Sequence, residues 1–396
     1  DRGDRGESIE SEVIGTREST LPGAECLVHP TRLATRLSTT DGSASVDVSP
    51  SEPIVIQEET AGEAAVSEVL PAAPVKKYNR RNPYQLESVS PWHDVAGNET
   101  EAMVIDLYAK GLTTRDIVNH LKRSHNIDLS QPSISGITDK VFPLVKEWQS
   151  RALSSCYPIM YLDGMHFKVR EAGKIASKVA YIALGINQYG QKEVLGIWIS
   201  ETEGAKFWMH VLNDLKNRGV DDILIACVDG LKGFPEAIKA MYPHTDVQVC
   251  VVHQIRHTVM FIASKDKEKF CDELKTIYTA PSEEAGLDAL KSMQERWPMY
   301  QTYLKSWETR WADLAPFFSY PQAVRKTVYT TNAIENLNRQ FRKVTKTTQI
   351  FPHDEALMKL LWLAQADITQ NWQLAVRNWG EVMAQLSIMF PDRVYF

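Results

Sequence analysis

Two stretches of this chain decide its fold, YPIMYLDGMHFKV at residues 157–169 and DILIACVDG at residues 222–230. Both are rich in β-branched, aromatic and other apolar residues. Polar residues and a glycine follow the apolar run in each case, a pattern that predicts strands. Asp163 lies within the first strand, and Asp229 follows the last apolar residue of the second. Any chemistry shared by these two acids depends on whether the two strands are neighbours.

The segments between and around these strands predict the order β-β-β-α-β-α-β. The predicted strands are Tyr157–Val169, Lys178–Ile186, Glu193–Ile199, Asp222–Val228 and Val247–Val252, and the predicted helices are Gly204–Arg218 and Pro235–Met241. Glycine-containing turns at 171–174 and 187–190 make the first three strands an antiparallel meander. The later strands need helical crossovers and are therefore parallel. This order predicts an α/β, RNase H-like domain whose first and fourth strands are adjacent.

A small helical region precedes the sheet. Apolar periodicity predicts a helix from about Glu99 that stops at Gly111, and a second helix that begins at Thr113 or Thr114. A third helix is predicted after Ser130 as N-cap, with its apolar stripe running from Ile134 to Leu144. Three short helices are typical of a helix-turn-helix DNA-binding module, although a plain helical bundle fits the pattern equally well.

Composition separates the N-terminal segment from the rest. The chain has 396 residues and a net charge of −6, and residues 1–77 carry 14 acidic and 7 basic residues without any aromatic ring. Such a segment cannot bury enough apolar surface to offset its ordering entropy, and we predict a disordered acidic extension at 1–77. Residues 78–396 have a net charge of +1, which leaves a nucleic-acid partner open.

Neither a membrane span nor a disulfide framework is predicted. The longest apolar run, at 179–186, is far shorter than the roughly 18 residues that a spanning helix needs. The start of the chain has no basic segment followed by an apolar one. The five cysteines are scattered and form no CxxC pair, which favours a reducing, cytoplasmic environment.

The sequence predicts a divalent-metal site at Asp163 and Asp229. If their strands are neighbours, the two carboxylates meet at one edge of the sheet. Hard cations such as magnesium prefer oxygen ligands, and two ions about 4 Å apart promote phosphoryl transfer. Considered singly, each Asp-Gly pair is more often an ordinary turn, so the hypothesis depends on the strand order.

Glu335 is the third candidate acid. With Asn332 as N-cap, Glu335 stands at the third helical position, where a glutamate often completes a capping box. Helical geometry also places it on a polar face opposite the apolar stripe, together with Asn338 and several cations. Residues 322–353 contain six bases and one acid, an asymmetry that favours phosphate contact. The cations predicted to bind DNA on this helix are Arg339, Arg342, Lys343 and Lys346.

Several other histidine, cysteine and tryptophan residues are weaker candidates for a functional role. Cys250 and His253 have the CxxH spacing of half a zinc site, but no convincing second pair follows, and we predict a structural or substrate-positioning role. His166 is expected to lie outside the metal site, since strand alternation sends it to the face opposite Asp163. Trp307 and Trp311 have a spacing that suits base stacking, but it is more often that of core residues.

Five sequence strings together resemble one known family. They are YLDG (161–164), ETEGAKFW (201–208), CVDGLKGFP (227–235), CVVHQIR (250–256) and TTNAIE (330–335). In this order and spacing they resemble the Mutator-type transposases of bacterial insertion sequences, from about Thr100 to the C-terminus. Residues 1 to about 98 do not resemble the N-terminal DNA-binding region of that family.

The resemblance implies a DDE catalytic domain that cleaves and transfers DNA strands, with Asp163, Asp229 and Glu335 as catalytic residues and metal ligands. It implies two magnesium ions, with manganese as a substitute, and Cys250 and His253 as the CxxH motif. The implied partners are double-stranded DNA, as transposon ends and as target, and no membrane partner is implied. The protein is expected to form a homo-oligomer on DNA and to lie in the bacterial cytoplasm, at the nucleoid when bound to DNA. The alternatives are an RNase H-like nuclease without strand transfer and a catalytically silent DNA-binding regulator.

These interpretations divide the chain into five parts. They are the acidic extension (1–77), a helical DNA-binding region (78–150), the first part of the RNase H-like core (151–253), a helical insertion (254–325), and the Glu335-bearing helix with the C-terminal helices (326–396). The insertion fits the 105 residues that separate Asp229 from Glu335.

Overall fold

The computed structural model describes residues 92–202, 204–329 and 332–394. These residues belong to one compact unit. The predicted acidic extension at 1–77 lies outside the described residues. No helix among the described residues is long and apolar enough to cross a membrane.

A five-stranded mixed sheet forms the centre of the protein. Its strands are β1 (Cys156–Glu171), β2 (Lys174–Ile186), β3 (Lys192–Ser200), β4 (Asp222–Val228) and β5 (Asp246–Val249). Their spatial order is β3-β2-β1-β4-β5, with the first three strands antiparallel and with β4 and β5 parallel to their neighbours. The prediction that the first and fourth strands lie side by side is therefore confirmed.

Fifteen α-helices are described around this sheet. Those that precede β4 are α1 (Glu99–Ala109), α2 (Thr114–His125), α3 (Gln131–Asp139), α4 (Phe142–Ser150) and α5 (Ala205–Asn217). Those from β4 to residue 314 are α6 (Phe234–Met241), α7 (Val251–Val259), α8 (Lys267–Tyr278), α9 (Glu283–Arg296), α10 (Gln301–Thr309) and α11 (Trp311–Leu314). The remaining helices are α12 (Gln322–Tyr329), α13 (Asn332–Thr345), α14 (Asp354–Thr369) and α15 (Trp379–Met389), and short 3-10 helices occupy Pro298–Tyr300 and Ala315–Ser319.

The helices before the sheet have the predicted starts. The Thr113 hydroxyl caps α2 in a capping box with Asp116, and the Ser130 hydroxyl accepts the Ser133 amide at the start of α3. The prediction of one helix through Leu144 was wrong, because the chain breaks between α3 and α4. Pro143 stands in the first turn of α4, and its missing N–H leaves the backbone unable to continue the hydrogen bonding of α3.

The predicted last strand is also shorter than expected. It ends at Val249 instead of Val252, and Cys250 is the N-cap of α7. The Cys250 amide donates to the carbonyl of Val228 at 2.8 Å, which keeps the start of α7 beside the end of β4. His253 therefore lies in the first turn of a helix at this edge of the sheet.

Helix α14 joins the N-terminal helices to the sheet. Leu357, Leu361 and Leu363 are fully buried, and the helix is buried on nearly all faces, as expected for an element enclosed in a core. Trp92 and Ile105 pack with Trp362 and Leu363 in one hydrophobic cluster. Helices α1 and α4 are thus part of the same folded body as the sheet.

Candidate metal centre

The strand register brings Asp163 and Asp229 together. Leu162 pairs with Val228 in the parallel ladder between β1 and β4, so the two aspartates are the next residues on neighbouring strands. Each carboxylate accepts the amide of the following glycine, at 2.9 Å for Gly164 and 2.6 Å for Gly230. Asp163 is buried, with 6% relative exposure, whereas the Asp229 side chain is 45% exposed. One carboxylate is thus held in the protein interior, and the other is open to solvent.

His253 joins the two aspartates from α7. Its Nε2 lies 3.9 Å from Asp163 Oδ2, and its Nδ1 lies 3.6 Å from Asp229 Oδ1. Ligand atoms of the three side chains all lie within 4.8 Å of one another, a separation that allows one ion to contact them. Sequence reasoning predicted a structural or positioning role for His253 but missed this proximity. The signal was present, since the CxxH string follows a strand that ends at the same edge as Asp229.

The charges at this cluster influence each other. Burial raises the pKa of Asp163, the charge of Asp229 raises it further, and His253 and the Asn338 amide act in the opposite direction. Desolvation lowers the pKa of His253, but interactions with Cys250 and with the two aspartates outweigh it and raise that pKa to about 10. At neutral pH the imidazole therefore carries a positive charge beside the two carboxylates.

Asn338 provides the closest side-chain contact to Asp163. Its Nδ2 donates to Asp163 Oδ2 at 2.6 Å, and the residue is only 3% exposed. The placement of Asn338 on an outward polar face was therefore wrong. Ile334, Leu337 and Asn338 all turn toward the interior, because α13 packs against β1 across a wider face than its apolar stripe.

Glu335 lies nearby on α13 but outside the group formed by Asp163, Asp229 and His253. Its side chain is 8% exposed, and its Oε2 lies 3.0 Å from Arg256 Nη2 on α7. A partly exposed guanidinium thus neutralises the buried carboxylate. The role of Glu335 as a metal ligand stays a prediction.

The cations predicted to bind DNA are exposed on the outer face of α13 and directly after its last residue. They are Arg339, Arg342, Lys343 and Lys346. Their spacing of three, four and seven residues places them on one side of the helix, so they form a continuous basic surface. This exposure leaves their charges available to a polyanion.

Three weaker candidates lie away from the centre. His166 is exposed and does not belong to the described metal-ligand group, in agreement with its expected position on the other face of β1. Trp307 is buried and donates to Thr258 Oγ1 at 2.9 Å, and Trp311 is also buried and donates to Glu283. The interpretation of both tryptophans as core residues is confirmed.

Comparisons with known proteins agree on one family. The profile of the family described as "Transposase, Mutator family" matches residues 94–375. The chain is 46% identical over 294 residues to the transposase for insertion sequence element ISRM3 of Rhizobium meliloti, which covers 74% of each chain. It is 39% identical to a probable insertion-sequence transposase of Corynebacterium diphtheriae, covering 74% of this chain and 92% of that protein.

One further relative and one solved structure are more distantly similar. The transposase for insertion sequence element IS256 in transposon Tn4001 of Staphylococcus aureus is 26% identical, covering 70% of this chain and 72% of that protein. The HTLV-2 integrase catalytic core aligns with a TM-score of 0.19 at 15% identity, over 35% of this chain and 86% of that one, which is too low to support a comparison of folds. The extent of the profile match and the identity to the rhizobial relative establish that this chain belongs to the Mutator family of insertion-sequence transposases.

Proposed function

We propose that the protein cleaves DNA at the ends of an insertion sequence and joins the released ends to target DNA, by metal-dependent phosphoryl transfer at Asp163, Asp229 and Glu335. The observation that carries the proposal is the meeting of Asp163, within β1, with Asp229, directly after β4. The strand order and the mixed strand directions also support an RNase H-like assignment for the domain.

The donor set fits a hard divalent cation. Two aspartates offer carboxylate oxygens within 4.8 Å of each other, and Glu335 is a third carboxylate from a helix that contacts β1. When bound between such groups, two magnesium or manganese ions activate the attacking oxygen and stabilise the leaving oxygen. His253 is a poorer ligand for magnesium than a carboxylate is, and its positive charge suits it better to contact with a phosphate oxygen.

The surrounding residues have distinct roles in this proposal. Asn338 fixes the orientation of the Asp163 carboxylate through its hydrogen bond, and the Gly164 amide holds the other oxygen. The buried position of Asp163 limits its contact with water, which strengthens the electrostatic interactions of its carboxylate. Arg256 balances the charge of Glu335 until substrate and ions are in place.

The proposed substrate is double-stranded DNA, both as transposon ends and as target. The exposed cations of α13 lie on the helix that carries Glu335, and they are suited to neutralise backbone phosphates without reading sequence. The helices α1–α4 are the proposed DNA-binding region. A homo-oligomer on DNA is proposed as well, because two ends must be cut and joined together.

The test is cleavage and joining of a duplex that carries the terminal repeat of the element. Asp163→Asn and Asp229→Asn retain side-chain volume, and each should reduce both reactions at least about a thousandfold if the ions depend on these oxygens. Asp288→Asn, an exposed acid on α9, is the matched control and should retain the parent rate. Parent rates in the first two variants would refute the assignment.

An assay for joined products separates the proposal from its alternatives. A nuclease would release cleaved ends without joining them, and a silent regulator would bind DNA without magnesium-dependent cleavage. The insertion-sequence transposases among the relatives favour neither alternative.

A further inference from the structure

One face of α7 leads from the candidate metal centre to the protein surface. His253, Arg256 and His257 are followed on the same side by Met260, the C-cap residue, and Phe261 in the next turn. Residues separated by three, four, seven and eight positions share a helical face, and eight residues span about 12 Å. This set of five side chains is called the α7 face below.

The outer end of the α7 face exposes large apolar side chains. Met260 is 59% exposed and Phe261 is 46% exposed. The Phe261 ring stacks on Tyr303 with a centroid distance of 4.8 Å and an interplanar angle of 1°, and the His257 ring meets Phe261 edge-on at 6.1 Å. The exposed Phe261 ring of this stacked pair is suited to receive another planar group.

The aromatic pair is held firmly relative to the metal centre. Tyr303 belongs to α10, which is joined to α7 by the bonds from Trp307 to Thr258 at 2.9 Å and from Gln254 to Ser306 at 2.8 Å. The side chain of Arg310, directly after α10, is held in place by two contacts. It donates a hydrogen bond to Gln254 on α7, and it packs closely over Gly230 beside Asp229. The distance between the aromatic pair and the carboxylates is therefore set by packed side chains.

We propose that the α7 face binds unpaired nucleotides of the DNA substrate next to the cleavage site, with one base stacked on Phe261. The inference rests on the proposed function and adds to it a second binding site for single-stranded DNA. Every base has a π face, so stacking on an aromatic ring tolerates any sequence. Arg256 and His257 lie between the carboxylates and Phe261, where the phosphates of such a strand would pass.

Charge and area favour DNA over a protein partner. Residues 253–269 contain four Lys or Arg residues against two acids, within a chain whose net charge is −6. The exposed apolar side chains on the α7 face are Met260 and Phe261. The area of two side chains is far smaller than the roughly 1,200 Å² that a stable protein interface buries. A second copy of this chain is therefore the less suitable occupant.

The experiment measures binding of a fluorescent 12-nucleotide thymidine strand to the full chain by anisotropy, with EDTA present to prevent cleavage. Phe261→Ala should weaken binding about fivefold or more, and Phe261→Trp should restore it, because one stacked base contributes about 1–3 kcal/mol. Tyr189→Ala removes an aromatic ring of 68% exposure from the β2–β3 turn and is the matched control. Its affinity should equal that of the parent.

Equal affinities of Phe261→Ala and Tyr189→Ala would overturn the proposal. A lower oligomeric mass for Phe261→Ala, with unchanged affinity for the thymidine strand, would also overturn it and would assign the α7 face to contact between copies. Since binding is measured without metal, it is independent of the carboxylate test. Retained cleavage in Asp163→Asn would refute the proposed function without altering this result.

Discussion

Replacement of Asn338 by alanine tests the most specific contact at the metal centre. The change removes the Nδ2 donor that lies 2.6 Å from Asp163 Oδ2 and leaves β1 and the apolar stripe of α13 in place. Asp163 and Asn338 are 6% and 3% exposed, so water does not readily replace the lost donor. The Asp163 carboxylate then becomes free to rotate, and its pKa, already raised by burial, rises further.

The magnitude follows from the type of bond. A hydrogen bond to a charged group contributes about 1.5–3 kcal/mol, and solvent screening is small for two buried partners. Since each 1.4 kcal/mol is a factor of ten, the loss corresponds to a reduction of about 10- to 150-fold in cleavage at subsaturating magnesium. Asn338→Asp should be at least as defective, because a second carboxylate would repel Asp163.

The assay is the rate of cleavage of terminal-repeat DNA as a function of magnesium concentration, with the free energy of unfolding measured in EDTA. Asn336→Ala is the matched control, since it removes the same side chain from an exposed position of the same helix. If the two variants share the same magnesium dependence and maximal rate, Asn338 does not position Asp163 and the reasoning is refuted.

Three further predictions concern the charged groups around the site. The pKa of His253 lies above its ordinary value, so the protonated ring stabilises the fold fully below about pH 6.5, and this contribution is lost as the pH rises toward 10. The free energy of unfolding of His253→Gln, measured with denaturant in EDTA, should therefore fall furthest below that of the parent near pH 6.5. Arg256→Gln should tighten manganese binding in calorimetry by up to about fivefold, because the guanidinium no longer competes for Glu335 and a pair with one exposed partner contributes at most about 1 kcal/mol. Arg342→Ala and Lys343→Ala should each weaken DNA binding on any sequence and lower the slope of log affinity against log salt by about 0.9.

Each of these expectations has a result that contradicts it. A stability difference for His253→Gln that grows between pH 6.5 and 10 would reverse the sign of the linkage. Weaker manganese binding in Arg256→Gln would mean that the arginine supports Glu335 as a ligand. Lys291→Ala, a cation of 70% exposure on α9, is the control for the salt slope, and an equal change there would remove any special role from α13.

Local sequence pattern was sufficient for the sheet and for the two aspartates. Periodicity identified the five strands, and their order matched an RNase H-like arrangement, in which the first strand lies beside the fourth. Strand adjacency led to the expectation that Asp163 and Asp229 meet, and the observed register, in which each follows a residue of the pair Leu162–Val228, confirms it.

Element ends were less predictable, because they depend on the backbone hydrogen bonds of a few residues. Apolar spacing continued through Val141 and Leu144, but Pro143 divides the segment into two helices. The apolar run after Val247 was typical of a strand, yet Cys250 is the N-cap of α7, and the helix begins at Val251. Periodicity does not report such bonds.

The sequence by itself was sufficient for the family, for the strand order and for the expectation that Asp163 lies near Asp229. Only the tertiary structure placed His253 between those aspartates, buried Asn338 against Asp163 and paired Glu335 with Arg256. Asn338 and Asp163 are 175 positions apart, and the angle at which α13 lies on β1 decides which of its polar residues face inward. That angle results from packing over the whole interface, so a helical wheel for α13 alone does not reveal it.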